Sequence, residues 1–373
     1  MSSRTIRLSK SSISILEKNA VCDVLQKEYL GMGEEVNLFE SELKSYLMTD
    51  AEVCCVNTGT SALHLSLAAL GIGFGDEVLV PSLTYIASFQ AISATGATPV
   101  ACDVDEKTGF IDVGDATRRM SNKVKAIMPV HYASSVAGLK EIYDFSKKYN
   151  LRVVEDAAHS FGGCFSNGAK IGSIGDIACF SFDGIKNITS GEGGVVISSD
   201  ASLMQRLKDM RLLSVEKDTE MRYLGQRSWD FDVKLQGYRY HMSNIMAAIG
   251  RVQLSRIDLF INKRQNIMRR YLDGLQINDV NFFNFDYKSI VPHIVVIKAT
   301  NRDNLRNYLL KKGIETGIHY KPNHLLSKYK TSYSLPNVEN LYNEIMTLPC
   351  HYDLTLDDQD YVIKSINEFY NEN

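Results

Sequence analysis

The period of the apolar positions alternates along the chain. From Ala51 onward, short β-branched runs, "EVCCVN", "EVLVP", "TPVACDVD", "VKAIMPVH" and "LRVVED", are interleaved with segments such as "SALHLSLAALG" and "YIASFQAISATG". In the first of these segments Leu63, Leu67 and Leu70 recur at i, i+4 and i+7, which predicts a helix with a face to bury. The runs between them are continuously apolar, as strands covered on both faces require. Strand and helix in alternation predict a mostly parallel sheet flanked by helices. Two later runs, "IACFSF" and "GGVVISS", predict further buried strands.

Outside that region the pattern is helical at first. "SILEKNAVCDVLQKEYLGMG" and "EVNLFESELKSYL" predict two helices separated by a Gly-rich turn, and a single long helical pattern from Ser243 to Leu275 could link two domains. Beyond it, "VPHIVVIKA", "NRDNLRNYLLKKG" and "IETGIHY" predict strand, helix and strand, a smaller α+β domain. The expected division is a large domain over 1–250, with the N-terminal helices, and a small one over 251–373. A chain of 373 residues has room for two such cores.

Composition narrows the function classes. Hydrophobic residues make up 45% and charged residues 23%, which argues against disorder and against a membrane protein. A formal charge of -3 offers no global field for nucleic acid, so any anion must be gripped locally. The seven cysteines form no CxxC pair and read as reduced core residues. With no apolar run of about 18 residues and no apolar core in "MSSRTIRLSKSS", a cytoplasmic protein is expected.

The candidate chemistry centres on "FSFDGIKNITSGEGG", which places Lys186 in a turn between two buried-looking strands. A lysine in a turn is ordinarily a solvated surface charge. One held against a dry core has its pKa lowered by desolvation, and its neutral amine can form a Schiff base with a carbonyl. Three other groups sit where a parallel sheet presents ligands, at the carboxyl ends of its strands. In "NTGTSA", Gly59, Thr60 and Ser61 open a helix, either as an ordinary N-cap or as a phosphate cradle. Asp156 closes "VVED", as a turn cap or as a ligand carboxylate, and Ser181 in "CFSF" is a buried hydroxyl that needs a partner.

Pyridoxal phosphate (PLP) needs an amine, a carboxylate for its pyridine nitrogen and donors for its phosphate. Lys186, Asp156 and the Thr60, Ser61, Ser181 group supply them, with Tyr85 of "PSLTYIAS" as an aromatic lid. No G-x-x-x-x-G-K-[ST] is present, which removes a P-loop, and the histidines stand singly, without metal-site spacing.

The ordered pieces "NTGTSALHL", "PSLTYIAS", "GATPVACDVD", "VVEDAAHSFGG", "SFDGIKNITSGEGG", "GYRYHMSNIMAAIG" and "GIETGIHYKP" resemble the DegT/StrS-type nucleotide-sugar aminotransferases. These are PLP enzymes of the aspartate-aminotransferase fold (fold type I), and the resemblance covers nearly the whole chain. It implies Lys186 as the Schiff-base lysine, Asp156 at the pyridine nitrogen, His159 at the ring hydroxyl and Tyr85 stacked on the ring. Gly59, Thr60, Ser61 and Ser181 fall on the phosphate side, and His319 and Tyr320 on the substrate side. In relatives an Asn from the neighbouring subunit completes the phosphate site; the matching positions here hold Arg239 and His241, a departure. A homodimer with shared active sites is therefore implied.

Some relatives carry His in place of the lysine and deoxygenate, so Lys186 favours transamination. The resemblance implies glutamate as amino donor and a nucleotide-linked 4-keto-6-deoxy sugar as acceptor. "TSGEGG" looks like relatives that aminate C4, which points to dTDP-4-keto-6-deoxy-D-glucose becoming dTDP-4-amino-4,6-dideoxy-D-glucose. GDP-perosamine synthesis and amination at C3 are the alternatives. A PLP-binding regulatory protein without turnover is the alternative from another class.

Overall fold

The structure, a computed structural model, describes residues 5–227 and 229–371. Seven strands form the main sheet: β1 (Glu52–Val56), β2 (Glu77–Pro81), β3 (Thr98–Cys102), β4 (Val124–Ile127), β5 (Arg152–Asp156), β6 (Ile177–Ser181) and β7 (Gly194–Ser198). Their order is β1-β7-β6-β5-β4-β2-β3. Only β7 opposes its neighbours, pairing antiparallel with β1 and β6, so the expected mostly parallel sheet is present.

Alternate residues of a strand point to opposite faces, and the core divides accordingly. Cys54 and Val56 of β1 face one side with Leu63, Leu65 and Leu67 of the helix Gly59–Ala69. Val53 and Cys55 face the other with Val36, Phe39, Leu43 and Leu47 of the helix Glu34–Leu47. Both faces are covered, which explains the unbroken apolar runs. The first helix, Ile15–Gln26, is started by a capping box in which Ser14 and Glu17 satisfy each other's groups.

Three further strands, β8 (Val280–Phe282), β9 (Val295–Ala299) and β10 (Ile345–Leu348), form an antiparallel sheet ordered β10-β9-β8. One face packs against the helices Ile257–Gly274, Arg302–Lys311 and Leu356–Asn371. From its other side Ile294, Val296 and Ile345 join the core of the main sheet.

Three expectations are corrected. The segment 314–320 is not a strand: it makes single bridges at Ile314 and Gly317, and Ile345–Leu348 takes the place beside β9. The chain leaves the sheet there to carry His319 and Tyr320 into a cavity. The long helix is two, Asn244–Ser255 and Ile257–Gly274, broken at Arg256, whose φ of -103° and ψ of 6° leave the helical well. There the Arg256 guanidinium turns to the buried carboxylate of Glu17. Among the cysteines, Cys22 is exposed and Cys164 is half-buried, whereas the other five are core residues; all seven are free thiols.

Candidate active site

The carboxyl ends of β1, β2, β5 and β6 and the start of β7 share one edge of the sheet, where a cavity of about 480 Å³ opens. Its lining includes Gly59, Thr60, Tyr85, Asp156, His159, Ser181, Lys186, His319 and Tyr320. Of the residues singled out by sequence, Ser61, Arg239 and His241 lie outside it.

Lys186 sits in the connection from β6 to β7, with part of its surface open to the cavity. Desolvation pulls its pKa down to about 8, against the opposing pull of Asp156 and Asp183 and together with the repulsion of Arg264. The turn is fixed by its neighbour: the Asn187 amide donates to the carbonyls of Phe161 and Val291 at 2.8 and 3.0 Å.

Asp156 ends β5, and its carboxylate is held from two sides. Ser88 donates to Oδ2 at 2.7 Å, and the Ala158 amide to Oδ1 at 3.2 Å. Ser88 belongs to the helix Ile86–Ala94, which starts directly after Tyr85. The element that presents the aromatic at the cavity mouth therefore also orients the carboxylate. Tyr85 is largely exposed there, its ring 5.7 Å from that of Tyr320. The Tyr320 hydroxyl is 3.0 Å from His159 Nε2. Burial first, and then the nearby Lys186, hold His159 well below its usual pKa, so its ring is neutral.

At the opposite end the helix Gly59–Ala69 points its N-terminus at the cavity. Thr58 caps it, accepting from the Ser61 amide at 3.0 Å, while the Ser61 hydroxyl is spent on Asn57 at 2.6 Å. The geometry of a helix start leaves the amides of Gly59 and Thr60 without intrahelical acceptors, a ready anion cradle. A Cβ on Gly59 would lie 2.7 Å from Ser181 Cβ, so only glycine lets the cradle close on Ser181.

These residues fit PLP: an amine and a fixed carboxylate face one cavity, with the amides of a helix start and two hydroxyls at its end. Lys186 would hold the carbonyl carbon, Asp156 the ring nitrogen, and Gly59, Thr60 and Ser181 the phosphate.

Arg239 and His241 lie on a segment beside β1, where Arg239 bridges Leu212 and His241 bridges Val56. Arg239 is exposed. Burial, with Arg222, Arg239 and Arg211 nearby, lowers His241 to about 4. In its own chain, neither residue reaches the cavity.

Sequence reasoning missed Thr58, Ser88, Arg264 and His293. Ser88 had a local signal, three residues past Tyr85 on a helical pattern, whereas Arg264 and His293 come close to Lys186 only through tertiary packing.

A family model described as "DegT/DnrJ/EryC1/StrS aminotransferase family" matches residues 12–367. A GDP-perosamine synthase of Escherichia coli O157:H7 is 36% identical over 98% of this chain and 99% of its own length. Among solved structures, DesV of S. venezuelae, in complex with a ketimine intermediate, is 31% identical. It covers 95% of this chain and 94% of that one, with a TM-score of 0.86. A candidate sugar aminotransferase of Streptococcus pneumoniae in its PLP form is 27% identical, covers 99% of each chain and has a TM-score of 0.90.

Proposed function

The chain belongs to the DegT/DnrJ/EryC1/StrS aminotransferase family, and from this we propose that it moves an amino group from glutamate to C4 of a nucleotide-linked 4-keto-6-deoxy sugar. It is a sugar aminotransferase, and PLP is its cofactor. The observation that carries the finer reading is Lys186, an amine with a lowered pKa, sharing one cavity with Asp156, His319 and Tyr320.

When bound, PLP supplies the carbonyl that takes up the amine and the cationic ring that draws electrons from the Cα–H bond. The protein's part is to place charges and move one proton. Lys186 Nζ, once free, would take the Cα proton of the donor and hand it to the cofactor, work that its pKa of about 8 favours as pH rises through that value. Asp156, locked by Ser88 and the Ala158 amide, would set its carboxylate against the ring nitrogen. His159, neutral and tied to Tyr320, adds no second positive charge beside Lys186.

The relative named a GDP-perosamine synthase favours a GDP-linked sugar, whereas the "TSGEGG" stretch around Glu192 supports the dTDP-linked reading. Assaying dTDP-, UDP- and GDP-linked 4-keto-6-deoxy sugars with glutamate decides between them, and turnover with none of them refutes the proposal.

The site is completed by a second copy of the chain. Arg239 is exposed next to a stretch in which Leu224, Trp229, Phe231, Val233 and Leu235 are all exposed. An apolar surface of this kind suits a partner subunit, and an Arg carried with it would meet the phosphate end.

A further inference from the structure

We propose that His293 is a positioning residue for Lys186, its Nε2 accepting a hydrogen bond from Nζ whenever that amine is free. The two atoms are 3.4 Å apart. His293 lies in the lead-in to β9, two residues before the strand begins, and lines the cavity while almost completely buried. Its Nδ1 has no partner among the described residues, so the ring's one hydrogen bond runs through Nε2 to Lys186.

The backbone around this pair is tied down more heavily than a wall residue needs. Arg264, itself buried, donates to the carbonyls of Pro292 and His293 at 3.1 Å each and to that of Lys186 at 3.4 Å. Asn187 reaches Val291 O, and the His293 amide donates to Ser134 Oγ at 3.1 Å. The lead-in to β9 and the lysine turn, 107 residues apart in sequence, are thus clamped as one unit. The His293 ring packs against the His159 ring, 4.7 Å away.

The electrostatics around the pair agree with an acceptor role. The groups facing it are Asp156 from β5, His159 after β5, Asp183 in the lysine turn, Arg264 and His319. Burial, and then Lys186, hold His293 well below its usual pKa. It stays neutral and can take a hydrogen bond from an ammonium without repelling it.

This inference rests on the transamination reading, but its first test does not need turnover. In the apoprotein, the rate of Lys186 acetylation by acetic anhydride is followed against pH by peptide mass spectrometry. Removing the acceptor in His293→Leu destabilises the ammonium. The labelling midpoint then falls by about one pH unit, a tenfold shift in the amine-to-ammonium ratio. His293→Gln, whose amide oxygen reaches the place of Nε2, keeps the wild-type midpoint. An unchanged midpoint, a rise toward the value of a solvated lysine, or equal shifts in both variants overturns the proposal. In the PLP-loaded protein at about pH 9, above both labelling midpoints, where the amine is free in either protein, His293→Leu slows the half-reaction with glutamate about tenfold without raising KM, and His293→Gln restores it. A shifted labelling midpoint in a protein that aminates no sugar condemns the transamination reading alone.

Discussion

Replacing Ser88 with Ala should slow amino transfer although Ser88 lies outside the cavity lining. Its hydroxyl is buried and donates to Asp156 Oδ2 at 2.7 Å, leaving the carboxylate only the longer contact from the Ala158 amide once it is gone. A hydrogen bond to a charged group contributes about 1.5–3 kcal/mol. If roughly half of that is felt as lost orientation at the ring nitrogen, the barrier rises by about 0.75–1.5 kcal/mol, or about four- to twelvefold in rate. The assay is stopped-flow conversion of the PLP form by glutamate, alongside Asp156→Asn, which removes the charge itself and should cost several orders of magnitude. Because Ser88 acts through that charge, its effect should shrink in the double variant. A full-rate Ser88→Ala, or an undiminished effect in the Asp156→Asn background, would refute this route.

Other outcomes follow from the same geometry. The rate of the half-reaction with glutamate should rise with pH through about 8, as Lys186 loses its proton, and a flat profile would remove Lys186 as the base. The same depressed pKa means that the unfolded chain binds more protons than the folded one from about pH 8 up to 10.5. Apoprotein stability should therefore gain from this group as pH rises through that window. Lys186→Met should stabilise the apoprotein at pH 7 and lose that advantage above the window, as read by urea unfolding. Gly59→Ala forces a Cβ to within 2.7 Å of Ser181 Cβ and should cost about 1–3 kcal/mol and weaken PLP binding measured by dialysis. Mixing Lys186→Ala with an Arg239→Ala/His241→Ala double variant should restore about a quarter of wild-type activity after subunit exchange, one intact site in half of the dimers. No recovery after verified exchange would place the phosphate site within one chain.

Local signals carried the sheet and the centre of the site. Buried strands leave unbroken apolar runs, and the ends of those runs mark Asp156, Ser181 and Lys186 as neighbours across one sheet edge. Where tertiary contacts decide, the pattern was silent. Nothing near Arg256 breaks the helical period, and the break accompanies an ion pair with Glu17, distant in sequence. The segment 314–320 has the alternation of a strand, yet its partner position is filled by Ile345–Leu348, and its polar tip serves the cavity instead. In "NTGTSA", the hydroxyl pattern could not separate the capping residue from the ligands; Thr58 caps, and Ser61 is drawn into that cap. The run "VPHIVVIKA" predicts a strand that takes in His293, because nothing in it shows that the strand starts only at Val295.

The central claim is that Lys186 carries the cofactor of a sugar aminotransferase. Borohydride reduction of the PLP-loaded protein, followed by peptide mapping, tests it most directly. The account predicts a single reduced adduct on Lys186, absent from Lys186→Ala. A reduced adduct on another lysine of the wild-type protein, or one retained in Lys186→Ala, would contradict it.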